Sequence, residues 1–296
     1  MTAFQPQELK TYRGNCHCGG FVYEVDLPEI KTVVQCNCSF CSKKGHLMAF
    51  PGDKGNFRVV KGSEDNLVSY AFGKKERVHK FCPICATPVL SRMPDGPPHM
   101  KLVLNVRALQ GVDVWSLERK HYDGAALGSP YEMAAHKGDV PATDVEDAKL
   151  YTGSCHCGAL TLAFKSKPID DTYTDIVTQC NCSVCIRNAY VWVFPHKDQH
   201  VLSGSEEDIG YYTWGTHAVA KSFCKICGVN MTQKVNFLSQ EKRDTMGPVL
   251  QEKYAWYWDN QIHPVNIRAL SGVDAEKLKT RFFEGATLMD QEYPHP

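Results

Sequence analysis

The sequence lacks a long hydrophobic segment, an excess of charge of either sign and an apolar leader at its start. No apolar run approaches the roughly 20 residues that span a membrane, so we expect no membrane partner. Basic and acidic residues number 33 each among 296, which argues against a nucleic-acid partner held by bulk charge. The start of the chain has neither the basic segment nor the apolar core of a signal peptide. Together these features predict a soluble, cytoplasmic protein.

Cysteine, in contrast, is abundant: the chain has 14, all in short-spaced groups. Each half carries a Cys-X-Cys pair, a Cys-X-Cys-X-X-Cys triplet and a Cys-X-X-Cys pair, in that order. The first half has Cys16/Cys18, Cys36/Cys38/Cys41 and Cys82/Cys85, and the second has Cys155/Cys157, Cys180/Cys182/Cys185 and Cys224/Cys227. Matching cysteines lie 139 to 144 residues apart, which indicates a tandem repeat of whole domains rather than a solenoid with its period of ~20–50 residues.

The repeat also predicts where the domains begin and end. We predict a first zinc domain over 12–124, a linker over 125–150 and a second zinc domain over 151–285. Short β-branched and aromatic runs between Gly, Asp and Pro turns predict a mainly β fold in both. The second domain carries an insertion near 236–261 that is rich in Tyr and Trp. The periodicity of this insertion is ambiguous, and a lid, a partner surface and a core patch all remain alternatives.

Three interpretations of the cysteines compete. Disulfide frameworks belong to oxidising compartments, but seven cysteines per half is an odd number and Cys-X-Cys strains a direct bridge. Buried free thiols leave the repeated spacing unexplained. Zinc sites explain it, because cysteines two or three positions apart turn both sulfurs onto one metal, and tetrahedral Zn²⁺ takes four ligands.

The seven cysteines of each half divide into a set of four, from the two pairs, and a set of three, the triplet. The two pairs of each half, Cys16/Cys18 with Cys82/Cys85 and Cys155/Cys157 with Cys224/Cys227, would each close a four-sulfur structural zinc site. Each triplet would hold a zinc ion with its fourth position open, as in catalytic sites. We therefore predict up to four zinc ions per chain. The candidate catalytic residues are Cys36, Cys38, Cys41, Cys180, Cys182 and Cys185.

Other residues repeat alongside the cysteines. His17 and His156 lie inside the Cys-X-Cys pairs, and we expect them to point away from the metal because the flanking cysteines already turn inward. His46 follows the first triplet, but Tyr190 stands at the matching position, which weakens the case for a shared histidine ligand. Arg107 and Arg268 occur in matching Asn-X-Arg-Ala-Leu segments, either as clamps on carbonyls or carboxylates of the protein or as anchors for a substrate carboxylate.

The ordered motifs Gly-X-Cys-X-Cys-Gly, Cys-X-Cys-X-X-Cys and Phe-Cys-X-X-Cys resemble those of the glutathione-dependent formaldehyde-activating enzyme and centromere protein V family. Both halves carry the full set, over roughly 12–124 and 151–285. The resemblance implies two tandem beta-tent domains, with structural zinc at the pairs and catalytic zinc at the triplets. The sequence departs from the family pattern at Ala86 and Ala189, where the family often has glycine.

The resemblance also implies an activity, the reversible condensation of formaldehyde with glutathione, which is carbon–sulfur lyase chemistry. We expect a zinc-dependent lyase that acts on the glutathione or other thiol adduct of an aldehyde or a related small metabolite. Glutathione would be a co-substrate. Candidates to hold its carboxylates are Lys43, Lys44, Arg187, Arg107 and Arg268. The alternative is a non-catalytic zinc module for protein interaction, with the aromatic insertion as its surface.

Overall fold

Two copies of one mainly β architecture make up the protein. The computed structural model describes residues 8–52, 56–289 and 292–296. The strands of the first repeat are β1 (Leu9–Asn15), β2 (Val22–Pro28), β3 (Thr32–Cys36), β4 (Met48–Ala49), β5 (Arg58–Lys61), β6 (Val68–Tyr70), β7 (Val78–Phe81), β8 (Pro88–Arg92), β9 (Leu102–Asn105) and β10 (Glu118–Tyr122). Those of the second are β11 (Lys149–Ser154), β12 (Thr161–Ser166), β13 (Val177–Cys180), β14 (Trp192–Val193), β15 (His200–Ser203), β16 (Ile209–Tyr212), β17 (Val219–Cys224), β18 (Asn230–Val235), β19 (Val265–Asn266) and β20 (Arg281–Phe283).

The α-helices are few and short. Matching helices follow the first two cysteines of each triplet, and three more belong to the second repeat. They are α1 (Ser39–Lys44), α2 (Ser183–Asn188), α3 (Gln240–Asp244), α4 (Pro248–Asp259) and α5 (Gly285–Leu288). Among the described residues, no helix combines the length and the apolar character needed to cross a membrane.

Each repeat has a three-stranded and a seven-stranded sheet, with identical strand orders. The small sheets are β1-β2-β5 and β11-β12-β15. The large sheets run β10-β3-β4-β9-β8-β7-β6 and β20-β13-β14-β19-β18-β17-β16. Antiparallel pairing dominates, but β10 lies parallel to β3 and β20 lies parallel to β13. These parallel pairs matter for the site, because they bring the end of each repeat beside the first cysteine of its triplet. The mainly β, two-copy prediction is confirmed.

The two repeats share their cores. One apolar cluster joins first-repeat residues such as Tyr23 and Leu104 to Val184 of α2 and to Cys182, which directly precedes that helix. The other joins second-repeat residues such as Phe164 and Ile267 to Phe40 of α1. Each triplet helix is therefore packed into the core of the opposite repeat, and burial of apolar surface stabilises the pair as one body.

The aromatic insertion, whose periodicity was ambiguous, forms α3 and α4 between β18 and β19. Pro248 opens α4 at a position where its missing N–H leaves no carbonyl unpaired. Tyr254 and Tyr257 are buried on one face of α4, one helical turn apart, whereas Trp256 and Trp258 are each about 40% exposed. The segment thus combines a buried face and an exposed aromatic face.

Candidate active site

The two pairs of each repeat converge on one point. In the first repeat the Cys16 and Cys18 Sγ atoms are 3.6 Å apart, and the Cys18 and Cys82 Sγ atoms are 3.5 Å apart. In the second, the Cys157 Sγ atom lies 3.5 Å from that of Cys155 and 3.6 Å from that of Cys224. All four sulfurs of each set lie within 4.8 Å of one another.

These distances fit zinc and exclude disulfides. A disulfide needs sulfurs about 2.05 Å apart, and all 14 cysteines are unbridged. Four sulfurs placed tetrahedrally at Zn–S distances of about 2.3 Å would stand about 3.8 Å apart, close to the spacing found here. The sulfur-only donor set is also one of those that structural zinc sites use. Each four-cysteine set can therefore hold one zinc ion.

The triplets are three-sulfur groups at the junction of a strand and a helix. In each repeat the first cysteine ends β3 or β13, the second stands at the N-cap position of α1 or α2, and the third lies within that helix. The main-chain N–H of Cys38 donates to Cys36 Sγ at 3.3 Å, as Cys182 N–H does to Cys180 Sγ. The three sulfurs of each triplet lie within 4.8 Å of one another. Each triplet can therefore supply three ligands and leave a fourth position for another group.

The thiols of each triplet favour one thiolate. Hydrogen bonds from Cys36 and Cys41 lower the pKa of Cys38 to about 3. Hydrogen bonds from Cys180 and Cys185 hold the pKa of Cys182 well below its usual range, with a contribution from the Lys221 ammonium. The second cysteine of each triplet is therefore the one most readily deprotonated, and thiolates are the form that binds metal.

His46 lies near the first triplet without completing it. Its Nδ1 atom is 3.7 Å from Cys41 Sγ, but the imidazole is not part of the compact three-sulfur group. Tyr190, at the matching position of the second repeat, instead donates to Asn230. Neither triplet therefore includes a histidine ligand in this arrangement.

A cavity of about 110 Å³ opens directly onto the second triplet. All three cysteines line it, together with residues of the second repeat only. Aromatic side chains make up a third of its lining, and α4 contributes Leu250, Tyr254 and Tyr257 from one face. The insertion thus closes over this triplet, which is the lid alternative among those considered for it.

The first triplet opens onto a different space. Cys36 and Cys41 line a wide cleft of about 680 Å³ between the repeats. The same cleft is lined by Lys43, Arg107 and Arg268, three of the five basic residues that the sequence singled out. The other two, Lys44 and Arg187, line neither cavity.

All five basic side chains donate to main-chain carbonyl oxygens. Arg107 donates from Nε to the Gly45 carbonyl of its own repeat at 2.7 Å, and Arg268 does the same to that of Ala189 at 2.8 Å. Lys43 Nζ donates to the carbonyl of Ser154 at 3.0 Å. Burial lowers the pKa of Lys43 to about 8. These contacts describe clamps between protein segments, while glutathione binding by the same residues stays a prediction.

Lys44 and Arg187 lie deeper. Lys44 Nζ donates to the carbonyls of Ala86 and Gly228, one from each repeat, and burial lowers its pKa to about 7. Arg187 donates to the side chain of Asn15 at 3.2 Å, across the same interface. Both residues therefore connect the two repeats.

The histidines of the Cys-X-Cys loops also reach across. His17 Nδ1 lies 2.6 Å from the Tyr212 hydroxyl, and its Nε2 lies 2.9 Å from Ser183 Oγ at the start of α2. His156 is bonded in the same way, to the Tyr70 hydroxyl at 2.7 Å and to Ser39 Oγ at 2.9 Å. Neither imidazole belongs to the sulfur groups, so these histidines link each four-cysteine loop to the opposite triplet helix.

Sequence reasoning missed a pair of glycines at the triplets. A Cβ atom on Gly124 would lie 2.3 Å from Cys36 Sγ, and one on Gly285 would lie 2.5 Å from Cys180 Sγ. Parallel pairing of Tyr122 with Cys36, and of Phe283 with Cys180, brings the glycines there. The repeated Gly-Ala at these positions, visible in the sequence, was the signal that could have identified them.

The chain thus combines two tandem β domains, each with a four-sulfur group and a three-sulfur group that could hold a metal ion. The family model of the glutathione-dependent formaldehyde-activating enzyme matches residues 11–113 and 150–255, and the chain belongs to that family. A solved crystal structure of a Rhodobacter sphaeroides protein is similar at 30% sequence identity, covering 36% of this chain and 99% of its own, with a TM-score of 0.32. The family resemblance drawn from the cysteine motifs is confirmed.

Proposed function

We propose that the protein is a carbon–sulfur lyase that forms and cleaves the adduct of a thiol, glutathione or a relative of it, with an aldehyde. The observation that carries this proposal is the open three-sulfur group, buried at the base of a cavity in the second repeat. A closed four-sulfur group serves stability, whereas three ligands beside a cavity leave a position for a reacting thiol. Membership of a glutathione-dependent family supports the same chemistry.

The bound metal, the triplet cysteines and α4 would each have a separate role in this reaction. Zinc bound at a triplet would supply a centre that keeps an incoming thiol deprotonated at neutral pH. The low pKa of Cys38 and of Cys182 favours the thiolate donors that such a centre needs. The face of α4 that covers the second triplet would exclude water from the reacting atoms. In the cleavage direction the C–S bond breaks with its electron pair going to sulfur, and the hydroxyl proton of the adduct passes to water as the aldehyde forms.

The interdomain cleft would hold the carboxylates of glutathione. Lys43, Arg107 and Arg268 lie around it beside Cys36 and Cys41. Their positive charges outnumber the negative charges of Asp274 and Glu276, which line the same cleft, and an excess of positive charge concentrates anionic ligands. Arg107 and Arg268 each donate to two carbonyls and keep further N–H groups that can turn toward a carboxylate. The Lys43 ammonium already donates to two carbonyls and would contribute mainly its charge. Lys44 and Arg187 would act instead by holding the repeats together.

The test is the paired change Cys38→Ser and Cys182→Ser, made separately and together. We expect the double variant to lose thiol–aldehyde exchange by at least about a hundredfold, since a serine hydroxyl is a poor replacement for a thiolate ligand. Exchange is followed by NMR with formaldehyde and glutathione. Elemental mass spectrometry before and after dialysis against glutathione checks which zinc ions respond. Unchanged exchange in the double variant would remove the triplets from the reaction.

A second candidate function, a zinc module for protein interaction, is favoured by one surface. Phe237, Trp256 and Trp258 are 73%, 41% and 40% exposed, and the Phe237 and Trp258 rings are 5.7 Å apart. An exposed aromatic group of this kind is typical of a docking site. This candidate would be favoured over the enzyme if added glutathione changed neither the metal content nor the tryptophan fluorescence, and if the protein showed no exchange activity.

A further inference from the structure

The two triplets differ at one packing position. Phe40 follows the second cysteine of the first triplet by two residues, and Val184 stands at the matching position of the second. The Phe40 ring is 2% exposed and lies 4.4 Å from the His79 ring and 5.3 Å from the Tyr70 ring, measured between centroids. In the second repeat, the corresponding Lys221 and Tyr212 line the open cavity together with Val184. The Phe40 ring thus occupies a space in the first repeat that stays open beside Val184 in the second.

The second cavity is built from apolar surface. Trp192, Phe194 and Trp214 form walls around the triplet, and α4 adds Leu250 and Tyr257 on the opposite side. The insertion that supplies α4 has no counterpart in the first repeat. Its volume of about 110 Å³ compares with the engineered cavity of roughly 150 Å³ that takes up benzene. A group the size of a small ring or a branched carbon chain fits, which is far more than the single carbon of formaldehyde.

The lining of this cavity also includes a lysine side chain. Lys221 lines it and is 9% exposed, and no hydrogen bond or ion pair of its ammonium group occurs within the part of the chain that the structure describes. Lys221 and Cys182 line the same cavity. Lys253, in contrast, lies over the Phe283 ring, 4.3 Å from its centroid. An ammonium in the wall of an apolar chamber favours an oxygen that carries negative charge.

We propose that the second triplet acts on thiol adducts of aldehydes larger than formaldehyde, with an aromatic or branched apolar group in this cavity. This inference rests on the proposed lyase function and adds to it a substrate class and a site. Lys221 would be a catalytic residue that pairs with the adduct oxygen as the C–S bond breaks and the hydroxyl proton leaves. The electron pair of that bond goes to sulfur, and the hydroxyl proton passes to water and from there to the released thiolate. The oxygen becomes the carbonyl of the aldehyde, and no oxidant or reductant takes part.

The binding test uses two unreactive thioethers, S-benzylglutathione and S-methylglutathione, with the zinc-loaded full chain. Tryptophan fluorescence reports binding, since Trp192 and Trp214 line the cavity. We expect S-benzylglutathione to bind at least about tenfold more tightly than S-methylglutathione, as apolar pockets discriminate by about that factor per methylene or more. Val184→Phe, which places the ring of the first repeat into the second, should abolish this preference while zinc content stays unchanged. Phe40→Val is the matched control and should preserve it.

The catalytic part of the proposal is tested with Lys221→Met. We expect cleavage of the benzaldehyde–glutathione adduct to slow by about a hundredfold, the usual effect of removing one oxyanion partner, while S-benzylglutathione binds with unchanged affinity. Equal affinities for the two thioethers, or a preference that survives Val184→Phe, would overturn the substrate class even if formaldehyde exchange continues. If the unmodified protein showed neither thiol–aldehyde exchange nor thioether binding, the lyase function itself would be overturned.

Discussion

At the end of each repeat a glycine lies against the first sulfur of the triplet, and the space left by its missing side chain is occupied by that sulfur. A Cβ atom on Gly285 would stand 2.5 Å from Cys180 Sγ and 3.2 Å from the Cβ atom of Cys182. Atoms at the first of these distances overlap, so either the sulfur or the chain end must move. The position of the sulfur in each triplet therefore depends on a residue more than 80 positions away in sequence.

This predicts that Gly285→Ala loses about one zinc ion per chain, because a displaced Cys180 sulfur no longer completes the three-ligand set. Elemental mass spectrometry measures the loss. Gly124→Ala should remove a different ion, the one at the first triplet. Gly20→Ala is the matched control, since its Cβ atom would lie 3.6 Å from Cys18 Sγ, an ordinary contact. Full zinc content in Gly285→Ala would show that the strand end adjusts instead.

The residue scale also separates what the sequence could predict from what it could not. The cysteine sets were predictable because two sulfurs of each pair, and all three of each triplet, come from local spacing. The positions of Lys221 and Phe40 depend on how β17 and α1 pack against other elements, and no local pattern encodes that. Comparing the repeats position by position would have exposed the Phe40 and Val184 difference, but its meaning required the cavity.

At the scale of elements, α4 is the part of the fold that the sequence left ambiguous. Helical periodicity was obscured because aromatic residues occupy both its buried and its exposed faces. The buried face is secured by Tyr254, whose hydroxyl accepts from the Leu238 N–H at 3.0 Å and donates to the Asn236 carbonyl at 3.2 Å. These bonds tie the start of the insertion to the helix that lines the cavity.

Tyr254→Phe should therefore loosen α4 while leaving the sheets intact. Losing these bonds leaves buried main-chain groups unpaired, which costs about 1–3 kcal/mol of local stability. Hydrogen exchange of the α4 amides should accelerate by about tenfold or more, with exchange of β11 and β12 unchanged. Val249→Ala, on the exposed face of the same helix, is the control. Equal acceleration throughout the second repeat would mean that α4 has no independent stability.

At the scale of the whole molecule, the two repeats are related by an approximate two-fold arrangement of contacts. His17 bonds to α2 as His156 bonds to α1, and Arg107 reaches the Ile186 carbonyl as Arg268 reaches that of Ser42. The strand orders and the cysteine groups were predictable as duplicates. The contacts by which each repeat stabilises the other were not predictable, because the sequence of one repeat does not indicate which of its surfaces the other repeat covers.

Lys44 tests this mutual support, since its ammonium donates to one carbonyl from each repeat. Lys44→Met should lower the free energy of unfolding by about 1–3 kcal/mol, because both carbonyls stay buried without a donor. Lys74→Met, at an exposed position, should leave it unchanged. Guanidinium denaturation at fixed zinc and reductant concentrations measures both. A Lys44→Met protein as stable as the unmodified one would mean that the carbonyls find other donors.

The same variant should change the pH dependence. Burial lowers the pKa of Lys44 from 10.5 to about 7, so between these values the unfolded chain binds the extra proton. Stability contributed by this residue therefore rises with pH across that window. We expect the free energy of unfolding to increase more steeply between pH 7 and pH 9 in the unmodified protein than in Lys44→Met. Parallel profiles of unfolding free energy against pH in the two proteins would contradict the lowered pKa of Lys44.

The meeting point of the triplet helices has a consequence for how the two copies can diverge. A Cβ atom on Gly45 would lie 2.4 Å from the Cβ atom of Ala189, its counterpart, so only one of these equivalent positions has room for a side chain. In an assembly of two identical chains, any substitution is made twice and meets itself at such a point. A single chain that contains both copies escapes this rule. It can place alanine opposite glycine, asparagine opposite lysine, and an open chamber opposite a filled one.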